Sequence, residues 1–524
     1  MASAQVIRIG TLLLLLLIAP AHAQPIAAAG GFDPLLVANV YATALAFMAP
    51  RTLEPVAVSQ LTVWGLRGFT ALDPDLVTEL RDGKLSLGAR DRVLLVRSPP
   101  AEGDINGWAT TAAELSTAAV AASVLVRRAG TQGIVQSFFD EMFNHLDPYS
   151  RYVPPREAGE DRDRRSGQAG AGLRLVRRNA VLAVAEAISD GPGAIGGIRP
   201  GDTILAVDGQ STQGKDARTV ERLIDGPEGT RVVISWRARD GRAHTAELER
   251  AMVPPETVYA QRIGDTLLLA VTAFNRSTDS HLAHAIEQGF AGQHPSAGIV
   301  LDLRGNRGGL LRQAVTASDS LLSDGIVAIT AGRDPEATRI WRSVSGELAE
   351  NIPVVVMVDG RTASAAEILA AALADRGRGV VIGSSTLGKG LVQTIAPLPD
   401  GGELFVTWSR VLAPRGWPIQ GLGVLPQVCT SLGQGVLGSQ LAELAQGRQP
   451  MAHALAIHHA ARAPLPPAQI LAIRSACPAA EGREVDLDTA RQLIREPASY
   501  AAALLPPLAA MGQESVVSDH ATAR

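Results

Sequence analysis

The chain runs to 524 residues with a formal net charge of −4, 46% apolar side chains and 4% aromatic ones. That length calls for several domains rather than one core. The mild acidity leaves no electrostatic case for nucleic acid or an anionic membrane as partner.

At the N-terminus Arg8 precedes the apolar run IGTLLLLLLIAP, and Ala21-His22-Ala23 stand before Gln24. A basic start, a short apolar stretch and small residues at a cleavage position predict a signal peptide over 1–23 and an exported mature protein. A Gram-negative periplasm is the expected location. The apolar run is too short to span a bilayer comfortably. No cysteine follows the cleavage position, which argues against a lipid anchor.

Residues 31–144 carry apolar side chains at three- and four-residue spacing in FDPLLVANVYATALAFMAP, VAVSQLTVWGLRGFTAL, TTAAELSTAAVAASVLVRR and GIVQSFFDEMFNHL. That period predicts a helical N-terminal domain. Residues 166–252 differ. GAGLRLVRRNAVLAVAEAI reads as a hairpin of short strands, GGIRPGDTILAVDGQS follows, and the segment from Thr219 to Arg250 reads as a helix, a turn and two strands.

From 256 to 428 strands and helices alternate, as in a layered α/β unit. GDTLLLAVTAF and GIVLDLR read as strands, each followed by a helix; 354–358 and 380–382 add two more strands. His281 and His284 stand three apart on the first of these helices. Without an H-E-x-x-H pattern they read as solvated helix residues, and no metal is implied. Residues 429–524 read as a helical extension with Pro-rich breaks and a disordered tail after Gly512. Cys429 and Cys477 form an even pair in an exported protein, which suggests a disulfide pinning this extension to the core. Two separate buried thiols are the other reading.

The chemistry concentrates in VVVMVDGRTASAAEILAAAL (354–373) and VVIGSSTLGKGLVQT (380–394). The first predicts a strand, a tight turn and Ser364 opening a helix, where an exposed hydroxyl would sit beside a helix N-terminus able to hold an oxyanion. A serine needs a proton acceptor, and no histidine lies between Pro295 and Met451. Lys389 of the second segment could serve if burial lowers its pKa. Two plainer readings compete. Ser364 and Glu367 fit an S-x-x-E capping box. GSSTLGKG (383–390) nearly matches a phosphate-binding loop, but Gly390 replaces the magnesium-binding hydroxyl and a strand follows instead of a helix.

The two segments resemble the active-site region of the carboxyl-terminal processing peptidases, or tail-specific proteases: GRTASAAEI and LGKGLVQ match that family's G-x-[ST]-A-S-A-[SA]-E-[IL] and F-G-K-G-x-V-Q, with Leu387 in place of Phe. HLDPYSRYVPP (145–155), GIVLDLRGNRGGLL (298–311) and WSRVLAPRGWPIQGLGVLPQV (408–428) resemble further family segments in the same order. The resemblance implies a multi-domain α/β protein whose layered, crotonase/ClpP-like serine protease core is built from 145–165 and 256–428. It implies Ser364 as nucleophile, Lys389 as base and Gln393 positioning the lysine. An N–H of Gly308 or Gly309, with that of Ala365, would form the oxyanion hole; no cofactor is implied.

G-I-R-P-G-D-T-I-L-A-V-D-G (197–209) closely resembles the signature phrase of a PDZ domain, a small β-barrel with helices. Such domains bind the C-termini of other proteins by strand addition, with backbone N–H groups taking the carboxylate. The resemblance puts the carboxylate loop at Gly170, Ala171, Gly172 and Leu173, with Leu175 and Val220 lining the pocket. The expected function is an exported serine endopeptidase acting on proteins or peptides with accessible C-termini. The family pattern also allows an adaptor or activator protein and a homo-oligomer. The alternative is a catalytically silent PDZ scaffold.

Overall fold

The apolar runs 298–302, 354–358 and 380–383 become the middle of a mostly parallel six-stranded sheet, ordered Val258–Ile263, Thr266–Val271, Gly298–Asp302, Val354–Val358, Val380–Gly383, Val428–Cys429. Only its first pair is antiparallel. The computed structural model describes residues 31–508 apart from 189, 292–294 and 345; the expected signal peptide over 1–23 and the expected disordered tail after Gly512 lie outside them.

These strands are continuously apolar because both faces of the sheet are covered. Ile299, Leu301, Val354 and Val356 face one core, with the helix Ala365–Asp375 and a second, antiparallel sheet of Arg339–Ser343, Gly325–Gly332, Glu403–Leu412 and Leu391–Pro397. All eleven residues of that helix are buried. Val300, Val355 and Met357 face the other way, onto the C-terminal helices Gln434–Ala445, Glu484–Arg495 and Pro497–Ala503. The extension is therefore a layer of the core, fixed further by a Cys429–Cys477 disulfide.

The N-terminal segment packs its helices Pro34–Met48, Val58–Arg67, Ile105–Ala122 and Val124–Phe143 around Tyr41, Phe138 and Phe139. Its core continues into Tyr152, Leu404 and Val406 of the antiparallel sheet. One part differs from the helical reading. Leu76–Arg81, Lys84–Ala89 and Arg92–Arg97 form an antiparallel meander, turned at Asp82-Gly83, both with positive φ. An Asp-Gly pair between alternating apolar residues is a hairpin signal, and here it overrides the helical spacing around it.

Residues 173–249 form a sheet ordered Ala243–Glu249, Arg231–Arg237, Thr203–Val207, Val181–Ala187, Leu173–Arg178, with the helix Ala217–Ile224 against the last strand and Trp236 in the core. A short ribbon, Gln168–Gly170 paired with Ala251–Val253, connects this unit to the rest.

Candidate active site

Ser364 stands where the strand Val354–Val358 turns into the buried helix Ala365–Asp375. Asp359 shapes the turn: its Oδ1 accepts from the N–H groups of Arg361, Thr362 and Gly305 at 2.9–3.0 Å. The turn delivers Ser364 at φ 58°, ψ −120°, a backbone region that only glycine adopts cheaply. Strain of this kind at a strand–helix turn holds a serine side chain away from both elements.

The glycine loop closes on this turn through Asn306, which is fully buried. Ala363 N–H donates to the Asn306 carbonyl at 2.9 Å, and Asn306 Nδ2 donates to Val271 O at 2.7 Å. Asn306 Oδ1 accepts the Gly308 N–H at 2.7 Å. Gly308 has φ +92°, and a Cβ built there would lie 2.8 Å from Ser364 Cβ and 2.9 Å from Ala365 N. Only glycine permits that approach.

Lys389 arrives from the loop after Val380–Gly383. Its amine lies over the Tyr149 ring, 4.9 Å from the centroid. Burial pushes the lysine below its ordinary value, and the guanidinium of Arg151 adds to this; the carboxylates of Glu367 and Asp147 pull the other way. Ser364, Lys389, Gln393, Gly308 and Gly309 all line one cavity of about 370 Å³, with Arg151, Arg307 and Phe405 on its walls.

Three features lie beyond what the sequence predicts. Glu367 is more than a helix cap: besides Ser364 N–H it accepts from Gly388 N–H, Lys389 N–H and the Thr386 hydroxyl. Gln393 gives its Nε2 hydrogens to Leu391 O and Thr407 Oγ1, so its tie to Lys389 is indirect. Thr407 in turn donates to Asp147, which also accepts from the N–H groups of Tyr149 and Ser150. The DPYS phrase is the one sequence signal for this network, since Asp readily caps a following turn.

In the PDZ unit, Gly172 has φ +70° and the loop Gly170–Leu173 is held by Gly193 N–H to Ala171 O and Ile188 N–H to Gly172 O. A cavity of about 180 Å³ touches Gly172, Leu173, Glu221 and Asp225. Leu175 and Val220 lie in the core of the unit, and the Leu175 N–H donates to Glu221 Oε1 at 2.8 Å.

His281 is not a solvated helix residue. It is largely buried, with Nδ1 2.9 Å from Glu256 and Nε2 3.4 Å from Asp190 of the PDZ unit. Glu256 above all raises its pKa. Among the described residues no cluster of metal-ligating side chains occurs, and no helix is long and apolar enough to cross a membrane.

The profile of Peptidase family S41 matches residues 265–430, and a PDZ domain profile matches 184–237. A carboxy-terminal-processing protease of Bartonella bacilliformis is 33% identical over 301 residues, covering 57% of this chain and 69% of that protein. The carboxy-terminal processing protease CtpA of Bacillus subtilis is 31% identical over 291 residues, 55% of this chain and 61% of that one. A solved photosystem II D1 C-terminal processing protease is 26% identical, covering 70% of this chain and 92% of that one, with a TM-score of 0.35. With both profiles in order along the sequence and the Bartonella protein matched over most of its length, the chain belongs to peptidase family S41, among the carboxy-terminal processing proteases.

Proposed function

We propose that the protein is an exported serine endopeptidase that receives substrate C-termini on its PDZ domain and cuts with a Ser364–Lys389 dyad. The observation that carries this reading is the meeting of a strained Ser364 and a lysine of depressed pKa in one cavity. Lys389, in the neutral form that burial favours, takes the proton from Ser364 Oγ as the oxygen attacks the scissile carbonyl. The oxyanion falls to the N–H groups of Gly309 and Ala365, since that of Gly308 is engaged by Asn306 Oδ1. The lysine ammonium then protonates the leaving amine, and water releases the acyl-enzyme. Gln393 steadies the lysine loop through Thr407 and Asp147. Export is supported by the Cys429–Cys477 disulfide, since such bonds persist in oxidising compartments.

The test is cleavage of an unstructured reporter with a free apolar C-terminus, read by mass spectrometry. Ser364→Ala and Lys389→Arg are expected to be equally inactive, because a guanidinium cannot act as a neutral base. Turnover should rise with pH as the lysine loses its proton, with a midpoint below the ordinary 10.5. Wild-type-like cleavage by Lys389→Arg rules out the dyad. A reporter that is bound but intact in every variant returns the reading to a PDZ scaffold.

A further inference from the structure

Glu367 is fully buried, yet its carboxylate collects four hydrogen-bond donors. Oε2 accepts the N–H of Ser364 at 2.7 Å and that of Lys389 at 2.9 Å; Oε1 accepts the N–H of Gly388 at 2.7 Å and the Thr386 hydroxyl. One carboxylate therefore spans the two segments that carry the proposed nucleophile and base. A helix cap needs only the first of these bonds.

The donor set favours the ionised form. Three of the four donors are backbone N–H groups, which can only donate. The Thr386 hydroxyl, which accepts from Val424 N–H at 2.7 Å, donates to Glu367 Oε1. An ionised, acceptor-only carboxylate receives all four of these bonds. Burial raises the carboxyl above its ordinary value, and the four hydrogen bonds offset part of that rise.

We infer that Glu367 is an ionised positioning residue of the reaction, which locks the Ser364 turn to the Lys389 backbone and stabilises the ammonium formed at Lys389 when Ser364 is deprotonated. The inference rests on the dyad reading above. During attack one proton passes from Ser364 Oγ to Lys389 Nζ; Glu367 neither gives nor takes one. Its charge favours the product of that transfer, as a triad carboxylate favours its imidazolium. The other charges acting on Lys389 are Asp147, which shares this sign, and Arg151, which opposes it. Arg474 stands on the far side of the Thr386 loop, donating to Thr386 O at 2.7 Å, and it interacts with Glu367 through charge.

The protein has only three lysines, Lys84, Lys215 and Lys389, which makes a direct measurement clean. The full-length protein is treated with acetic anhydride across a pH series, and labelling of Lys389 is read by mass spectrometry against exposed Lys84. Glu367→Gln is expected to move the Lys389 labelling curve to lower pH and leave Lys84 unmoved. The rising limb of the reporter-cleavage profile should move the same way, and kcat should fall on the order of tenfold or more with little change in KM. A purely structural role would lower activity without moving either curve, and unmoved curves overturn the inference. Should Glu367→Gln not fold, Glu367→Asp keeps the charge but withdraws its reach: the limb should hold its pH position while kcat falls, and a wild-type kcat overturns the positioning role. Wild-type protein that cleaves nothing overturns the protease reading itself, whereas a cleaving wild type matched by Glu367→Gln in rate and limb overturns this inference alone.

Discussion

Arg474 of the C-terminal extension donates at 2.7 Å to the carbonyl of Thr386, three residues before Lys389. The same guanidinium donates to Leu422 O at 2.6 Å and Gly421 O at 3.3 Å. That segment backs the lysine loop directly, through Gly421 N–H to Gly388 O and Thr386 N–H to Val424 O. The extension thus reaches to within one peptide layer of the proposed base.

Arg474→Met keeps the aliphatic stem and removes all three bonds. Hydrogen bonds from charged groups contribute about 1.5–3 kcal/mol each, and strand neighbours compensate for part of the loss. A stability loss of about 2–4 kcal/mol is expected, with a roughly tenfold lower kcat from misplacement of the loop. Thermal melting and reporter cleavage test both; unchanged kcat would show that the extension does not steady Lys389.

Gly308→Ala should abolish cleavage with little loss of fold. The new Cβ would fall 2.8 Å from both Ala363 O and Ser364 Cβ, at a φ of +92°. Displacing the glycine loop would remove the proposed oxyanion donor at Gly309, worth about a hundredfold or more in kcat. Gly435→Ala is the control: its Cβ meets nothing within 4 Å, and in a helix alanine is favoured by about 1 kcal/mol.

The Ser364 backbone makes the choice of inactive variant informative. Strain at φ 58°, ψ −120° costs about 1–3 kcal/mol in a residue with a Cβ. Glycine relieves it but loses about 0.5–1 kcal/mol in backbone entropy. Ser364→Gly should therefore melt above Ser364→Ala by the equivalent of about 1 kcal/mol. Equal melting of the two inactive proteins would mean that the turn stores no strain.

Acid should loosen the extension before it affects the rest. Burial lowers His458 to about 4 and His459 to about 3, while it raises Asp375, which faces His459 at 3.5 Å, to about 7. For the histidines the unfolded state binds more protons below pH 6.5, so stability is lost as pH falls. Asp375 acts in the opposite sense: the folded state holds its proton up to about pH 7, which favours folding as pH falls. Two histidines outweigh one carboxyl, leaving a net loss on the order of 3 kcal/mol between pH 6.5 and 4. Melting curves across that window test the sign. Greater stability at pH 4 would mean that Asp375 dominates.

Much of the site is legible in the sequence because it depends on short contiguous phrases. A strand followed by Gly, Thr and Ser before an alanine-rich run predicts the Ser364 turn, and the unbroken apolar run of 354–358 predicts a doubly buried strand. Glu367 is legible only as a helix cap, because three of its four partners lie 19 to 22 residues away, across a strand and a loop. The burial of His281 escapes the sequence for the same reason: both its carboxylate partners are remote along the backbone. The meander at 76–97 is a different failure: its Asp82-Gly83 signal is present in the sequence and forms the hairpin, but the helical spacing of the flanking segments hides it from a reading by period.

The ribbon of Gln168–Gly170 against Ala251–Val253 has a consequence for the history of the protein. Gln168 pairs with Val253, so more than eighty residues leave the body of the fold and return to it one strand apart. Closing so small a gap needs only a short turn, whose entropic cost grows slowly with length. The PDZ unit can thus be gained, lost or exchanged as a cassette with the seam left in place. A shuffled relative would be expected to keep Gly167, where a Cβ would strike Pro254 N at 2.4 Å, whatever module it carries between the two.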